Sequence, residues 1–238
     1  MRTAYTVFRN LYNVRKMTMK LVLASGSQRR RELLTMCGYD YEIIVSNADE
    51  TIDENDPESF VRALSFRKAK EVFDRLFAAG RRDFAVIGSD TVVAFQKEGG
   101  TKPVIIGKPK DAEDAVRILS MLSGKTHRVF TGVSVIADIP DENAAAQCSI
   151  REKAEIQTEC SITEVTFETL SPDEIMDYVN SGDPLDKAGS YGIQGPFGMF
   201  VREIRGNYFT VIGMPIPVLY KMLKKIGILP HGFYERIE

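Results

Sequence analysis

Residues Leu21 to Leu34, LVLASGSQRRRELL, restrict the folds open to this chain more than any other stretch. A short apolar run stops at Ser25-Gly26-Ser27, and Arg29, Arg30 and Arg31 arrive just as a helical pattern with Leu33, Leu34 and Cys37 begins. Strand, small-residue turn and helix N-terminus in that order aim unpaired backbone N–H groups and the positive end of the helix dipole at one spot, which suits a phosphate. Guanidinium forks beside it can hold phosphate oxygens in pairs. Three adjacent arginines cannot share one helix face, so at most two meet a ligand. The same residues also fit a tight turn into a surface helix whose arginines are merely solvated, and the motif alone does not choose.

The bulk numbers narrow the setting. At 238 residues and 44% hydrophobic composition the chain can bury one large core or two lobes. With 31 basic against 33 acidic side chains and a net charge of −2, it has no global basic field to hold nucleic acid, so an anion site must be local. No apolar run reaches the roughly 20 residues that span a bilayer. Three cysteines without a CxxC pair fit a reducing compartment, the cytoplasm, better than a disulfide framework. Only His127 and His231 are present, which leaves metal and base chemistry to carboxylates. The first twenty residues carry Arg2, Arg9, Arg15, Lys16 and Lys20 and no acid, as a mitochondrial targeting segment would. They are poor in Ser and their apolar residues are scattered, so an unstructured extension fits as well. The expected organisation is an extension over 1–19, one domain over 20–228 and a tail over 229–238.

Along the domain, Tyr41 to Val45 reads as a strand leading into an acidic loop, Asn47 to Asp56. Asp56-Pro57 then opens a helix toward Gly80, with Val61, Leu64, Val72 and Leu76 in its apolar stripe. Lys68 falls in that stripe, either as a snorkelling stem or as an ammonium turned into a cleft. Phe84 to Gly88 reads as a short buried strand ending at Ser89-Asp90-Thr91, before a second apolar run from Val92 to Phe95. A hairpin through Gly99-Gly100 reaches Val104 to Ile106, and Asp111 with Asp114 caps a helix ending at Gly124. Thr126 to Ala137 and Gln157 to Thr169 read as partner strands around a polar insertion, Asp138 to Glu155. Ser171-Pro172-Asp173-Glu174 has capping-box form, and a Gly-rich stretch follows from Gly182 to Gly198. Phe200 to Ile204 and Tyr208 to Ile212 read as a second hairpin, and Pro215 to Ile226 as a last amphipathic helix.

The ends of these elements collect Ser25, Ser27, Arg29, Arg30, Glu50, Lys68, Asp90, Lys108, Lys187 and Gln194, a set rich in cations with two isolated carboxylates. Over about residues 20–226 the chain resembles the Maf family of nucleoside triphosphate pyrophosphatases. ASGSQRR is similar to the family's S-x-S-P-R-R signature, and NADET, IGSDTVV, GKPKDAEDA, LSGKTHRVFTG and SGDPLDKAGSYGIQG follow in order. The DKAGSYGIQG form is similar to the branch that hydrolyses dTTP and UTP. Two departures are Gln28, where the signature has proline, and the length of the Asp138 to Glu155 segment.

That resemblance implies an α/β fold like that of inosine triphosphate pyrophosphatases, an elongated mixed sheet in two lobes with flanking helices and the site in the cleft. It implies metal-dependent cleavage of dTTP, UTP and modified uridine triphosphates to the monophosphate and pyrophosphate. Asp90 is implied as acceptor of the attacking water's proton, and Ser25, Ser27, Arg30, Lys68 and Lys108 as phosphate ligands. Glu50 and Asp90 are implied as the carboxylates for Mg2+ or Mn2+, which takes hard oxygen ligands and retains water. Arg29, Thr91 and Gln194 fall on base-selecting positions, and a homodimer is the implied partner state. Lys187 either touches phosphate or neutralises Asp183 and Asp186. The competing reading is a regulatory protein linked to cell division that senses a nucleotide without hydrolysing it.

Overall fold

The computed structural model describes residues 19–96, 99–100, 102–139 and 154–231. The readings of residues 1–18, of most of the insertion and of the last seven residues lie outside them. The chain runs β1 (Lys20–Leu23), α1 (Gln28–Met36), β2 (Tyr41–Ile43), α2 (Pro57–Ala78), β3 (Phe84–Phe95), β4 (Val104–Ile106), α3 (Ala112–Leu122), β5 (Thr126–Ala137), β6 (Glu155–Phe167), α4 (Pro172–Asn180), β7 (Val201–Arg205), α5 (Tyr208–Ile212) and α6 (Ile216–Lys225). Three short 3-10 turns, Asp183–Asp186, Ala188–Ser190 and Pro196–Phe200, carry the Gly-rich stretch. The anticipated helix starts are present: Asp56 accepts from Ser59 N–H at 2.8 Å, Asp111 from Asp114 N–H at 2.8 Å, and Ser171 with Glu174 completes the capping box. Each such cap contributes ~1 kcal/mol.

The strands form one mixed sheet in the order β2-β1-β3-β5-β6-β7, with β4 also on β3. β1 is parallel to β2 and β3, and all other pairings are antiparallel. This is the expected α/β class, a mixed sheet with flanking helices.

Side-chain alternation along β3 divides the core. Phe84 and Val86 face a cluster with Val22, Val72 and Phe73, and Val92 and Ala94 face one with Val61 and Phe130. On the other face, Ala85 and Ile87 join Leu21, Leu34 and Leu219, while Val93 and Phe95 join Ile118, Val165 and Phe197. Each half of the long strands therefore has its own core, and the polar residues Ser89, Asp90 and Thr91 lie at the divide.

Two sequence expectations are corrected. The break expected at Ser89-Asp90-Thr91 does not occur, because β5 pairs with β3 without interruption, including Gly88↔Ser134, Asp90↔Gly132 and Thr91↔Thr131. The ladder outweighs the polar residues, whose hydroxyls are satisfied: Ser89 donates to Gly132 O at 2.9 Å, and Thr91 bonds Thr131 at 3.0 Å. Tyr208–Ile212 is a helix and not the second arm of a hairpin. Its β-branched and aromatic content reads as strand, but Asn207 caps it by accepting from Phe209 N–H at 2.8 Å, and Thr131 donates to the Thr210 carbonyl at 2.7 Å.

One edge of β3 is left open where it matters. β1 pairs only with Phe84 to Ile87, and β4 only with Val93 to Phe95. Among the described residues no strand pairs with 88 to 92 on that side, so groups from both faces of the sheet can converge on Asp90.

Candidate active site

The Ser25-Gly26-Ser27 turn forms where β1 stops. Ser25 Oγ accepts from Ser27 N–H at 3.2 Å, and α1 starts with no side chain capping its first amides. Those N–H groups stay available to an anion. Arg30 points beneath them, donating to Gly213 O at 2.9 Å, Ser25 Oγ at 3.2 Å and Thr91 Oγ1 at 3.3 Å. Burial draws its pKa below the usual guanidinium value, and the Asp90 carboxylate opposes that shift. Arg29 turns the other way and pairs with Asp186 at 3.1 Å. The two arginines thus serve different ends of the cleft, as the limit on shared helix faces requires.

From the opposite side α2 delivers Lys68, whose Nζ lies 2.8 Å from Asp90 Oδ1 and 2.9 Å from Glu50 Oε1. This settles the two readings of Lys68: it is a cleft ammonium. Lys108 lines the same space, and among the described residues it has no ion pair or hydrogen bond. A cavity of about 510 Å³ is lined by Ser25, Ser27, Arg29, Arg30, Glu50, Lys68, Asp90, Thr91, Lys108 and Gln194. The structure therefore gathers every candidate residue into one cleft. Arg29, Arg30, Lys68 and Lys108 make its lining cationic, and Val129, Tyr191, Ile193, Val211 and Ile212 supply an apolar wall.

The Maf-like protein family matches residues 20–226. The chain belongs to the Maf family. Among curated relatives, this Maf chain is 41% identical over 217 residues to the dTTP/UTP pyrophosphatase of Agathobacter rectalis, covering 88% of this chain and 98% of that protein. It is 42% identical over 210 residues to the dTTP/UTP pyrophosphatase of Bacillus thuringiensis subsp. konkukian, covering 88% and 96%. A solved structure of the Staphylococcus aureus Ham1 protein aligns at 15% identity over 87% of this chain and 98% of that one, with a TM-score of 0.44.

The Gly-rich stretch of this Maf protein owes its shape to a network that sequence reasoning only half found. Lys187 Nζ bonds Asp183 Oδ1 at 3.0 Å, Asp183 O at 2.5 Å and Asp186 Oδ1 at 2.8 Å. It is neutralised by the two aspartates, as one of its two readings held. Tyr178 donates to Asp183 Oδ2 at 2.5 Å and accepts from Gly192 N–H at 3.0 Å. Asp186, named from the sequence only as a partner of Lys187, also links this network to Arg29. Its pairing with Arg29, 157 residues away, has no local signal in the sequence.

The apolar wall is backed by a buried histidine. His127 Nε2 pairs with Tyr191 OH at 3.0 Å, and its ring sits edge-on to Phe167 at 4.6 Å. Burial pulls the His127 pKa from 6.5 down to about 3. The native state then binds this proton only near pH 3, whereas the unfolded chain binds it near 6.5. Stability from this group is full above pH 6.5 and is lost as pH falls toward 3. Over that whole window the linkage is on the order of 4 to 5 kcal/mol. Thermal melts between pH 7.5 and 4.5 should show a falling Tm whose acid slope is reduced in His127→Phe; equal slopes would contradict the assignment.

Among the described residues no group of three His, Cys, Asp or Glu side chains clusters as a metal site, and no helix is long and apolar enough to cross a membrane.

Proposed function

We propose that this chain hydrolyses dTTP and UTP, and modified uridine triphosphates, to the monophosphate and pyrophosphate. The observation that carries the reading is the meeting of Asp90, Lys68, Glu50 and Arg30 at the open edge of β3, opposite an uncapped helix N-terminus. A triphosphate laid along the cleft would meet the α1 amides, Ser25, Ser27, Arg30 and Lys108, which offset charge building on the leaving pyrophosphate. Asp90 accepts a proton from the water whose oxygen attacks the α-phosphorus, the bond to the bridging oxygen breaks, and pyrophosphate leaves. Lys68 keeps that carboxylate in one orientation until substrate arrives.

The donor set fits a magnesium or manganese ion. Asp90 Oδ1 and Glu50 Oε1 both lie within 3 Å of one point, Lys68 Nζ, a position already shaped for a cation. Two carboxylates and no third ligating side chain suit an ion that keeps waters and takes the rest of its oxygens from phosphate. Such an ion supplies charge neutralisation and a lowered pKa for water. Near the base, Arg29, Thr91 and Gln194 select: the Gln194 amide offers one donor and one acceptor face to the imide edge of uracil or thymine. A homodimer in the cytoplasm, with residues 1–20 as a mitochondrial targeting alternative, completes the reading.

Purified protein given Mg2+ or Mn2+ and a panel of canonical and modified triphosphates tests it. Monophosphate plus pyrophosphate from dTTP or UTP, at least about tenfold faster by kcat/KM than from CTP, is the expected result. Tight triphosphate binding without turnover across the panel would replace hydrolysis with nucleotide sensing.

A further inference from the structure

Glu50 is an exposed member of the site, on a loop held against α2 without strand or helix of its own. That loop is nevertheless gripped along its backbone. Arg67 Nη1 donates to Asp49 O at 2.9 Å and to Thr51 O at 2.7 Å, the two carbonyls that bracket Glu50. One helical turn on, Glu71 accepts from Asn47 N–H at 3.0 Å, and a further turn on Arg75 donates to Val45 O at 3.0 Å. Asp49 closes the local turn by accepting from Thr51 N–H at 2.9 Å. Residues 67, 71 and 75 share one helix stripe, and each reads loop backbone, so the grip is indifferent to the loop's own side chains.

We infer that Arg67 is a positioning residue for Glu50, holding that carboxylate across from Asp90 so that the pair can bind a divalent cation. The inference rests on the metal reading proposed above. It follows from the order of residues on α2: Arg67 faces the loop backbone, and Lys68, about 100° further round, faces the two carboxylates. A single stretch of helix thereby sets both the loop height and the cation between the carboxylates. A loop released from Arg67 must be ordered by the metal itself, and affinity falls by the cost of that ordering.

The test uses the full chain and manganese alone, titrated and followed by electron paramagnetic resonance, together with hydrogen exchange of the 47–51 amides. Arg67→Met should weaken Mn2+ binding by about tenfold and speed exchange at Asn47 and Thr51, with Tm unchanged. Arg67→Lys, which keeps a cation but can grip with less geometric precision, should recover part of both effects. Unchanged Mn2+ affinity in Arg67→Met, where Glu50→Gln does weaken it, overturns the inference and leaves Glu50 as a ligand. If Glu50→Gln itself binds Mn2+ like the wild type, the metal reading of Glu50 fails and the inference fails with it.

Discussion

Replacing Asp90 by Asn should lower kcat for dTTP or UTP hydrolysis by about a thousandfold, within the range general-base removal produces, while leaving the fold intact. Asparagine has nearly the same volume, and its amide oxygen can still accept from Lys68, now 2.8 Å from Asp90 Oδ1. The ladder to β5 through Asp90↔Gly132 is made by backbone and does not depend on the side chain. What is lost is the capacity to take a proton from the attacking water and one of two hard oxygen donors. Pyrophosphate release measured at saturating Mg2+, with Tm recorded on the same preparation, separates the two roles. A Tm within a few degrees of wild type and a collapsed kcat are expected. Turnover within tenfold of wild type would remove Asp90 from the chemistry, and recovery at very high metal would assign it to cation binding alone.

The sequence carried the local signals of this site well and its assembly poorly. The strand, small-residue turn and arginine-bearing helix were readable because each follows from short-range physics: apolar burial, unpaired amides and fixed guanidinium geometry. The caps at Asp56, Asp111 and Ser171 were readable for the same reason. Lys68 was not, because a lysine in an apolar helix stripe has the same pattern whether it snorkels or meets a carboxylate, and only the position of Glu50 and Asp90 decides. The continuity of β3 was hidden too. Ser89-Asp90-Thr91 looks like a break when read along the chain, yet it is the neighbour strand, 40 residues away at Thr131, that holds it extended. Tyr208–Ile212 failed in the opposite direction, since strand-forming composition was overridden by an Asn cap and by hydroxyls from β5 and β6. Arg67 acts through the backbone of a loop 16 and 18 residues earlier and no motif marks it, while Asp186 lies within the SGDPLDKAGSYGIQG motif but its partner Arg29 is 157 residues away.

Gly132→Ala should be the most destabilising single methyl in the protein's central layer, and its effect should reach the active site. A Cβ at Gly132 would lie 2.1 Å from Val61 O and 2.5 Å from Val61 C, with Ser65 Oγ at 3.0 Å. The obstacle is the main chain of a 22-residue helix, not the end of a flexible side chain. Gly88 meets the same helix one turn later, where a Cβ would lie 2.2 Å from Ser65 O. Two glycines on adjacent strands therefore let α2 rest directly on the sheet, and α2 can yield only by lifting as a body. Overpacking of that kind costs about 3 kcal/mol or more, which for a chain of this size lowers Tm by roughly 6 to 12 °C. Gly107→Ala is the control: a Cβ there meets nothing within 4 Å, and stability should stay within about 0.5 kcal/mol. Lys68 sits two turns beyond Val61 on the same helix, so a lifted α2 also draws its ammonium away from Asp90. Folded Gly132→Ala protein, assayed well below its Tm, should accordingly show reduced kcat with Mg2+ saturating. Full activity in the folded fraction would mean that the seat of α2 and the placement of Lys68 are set independently.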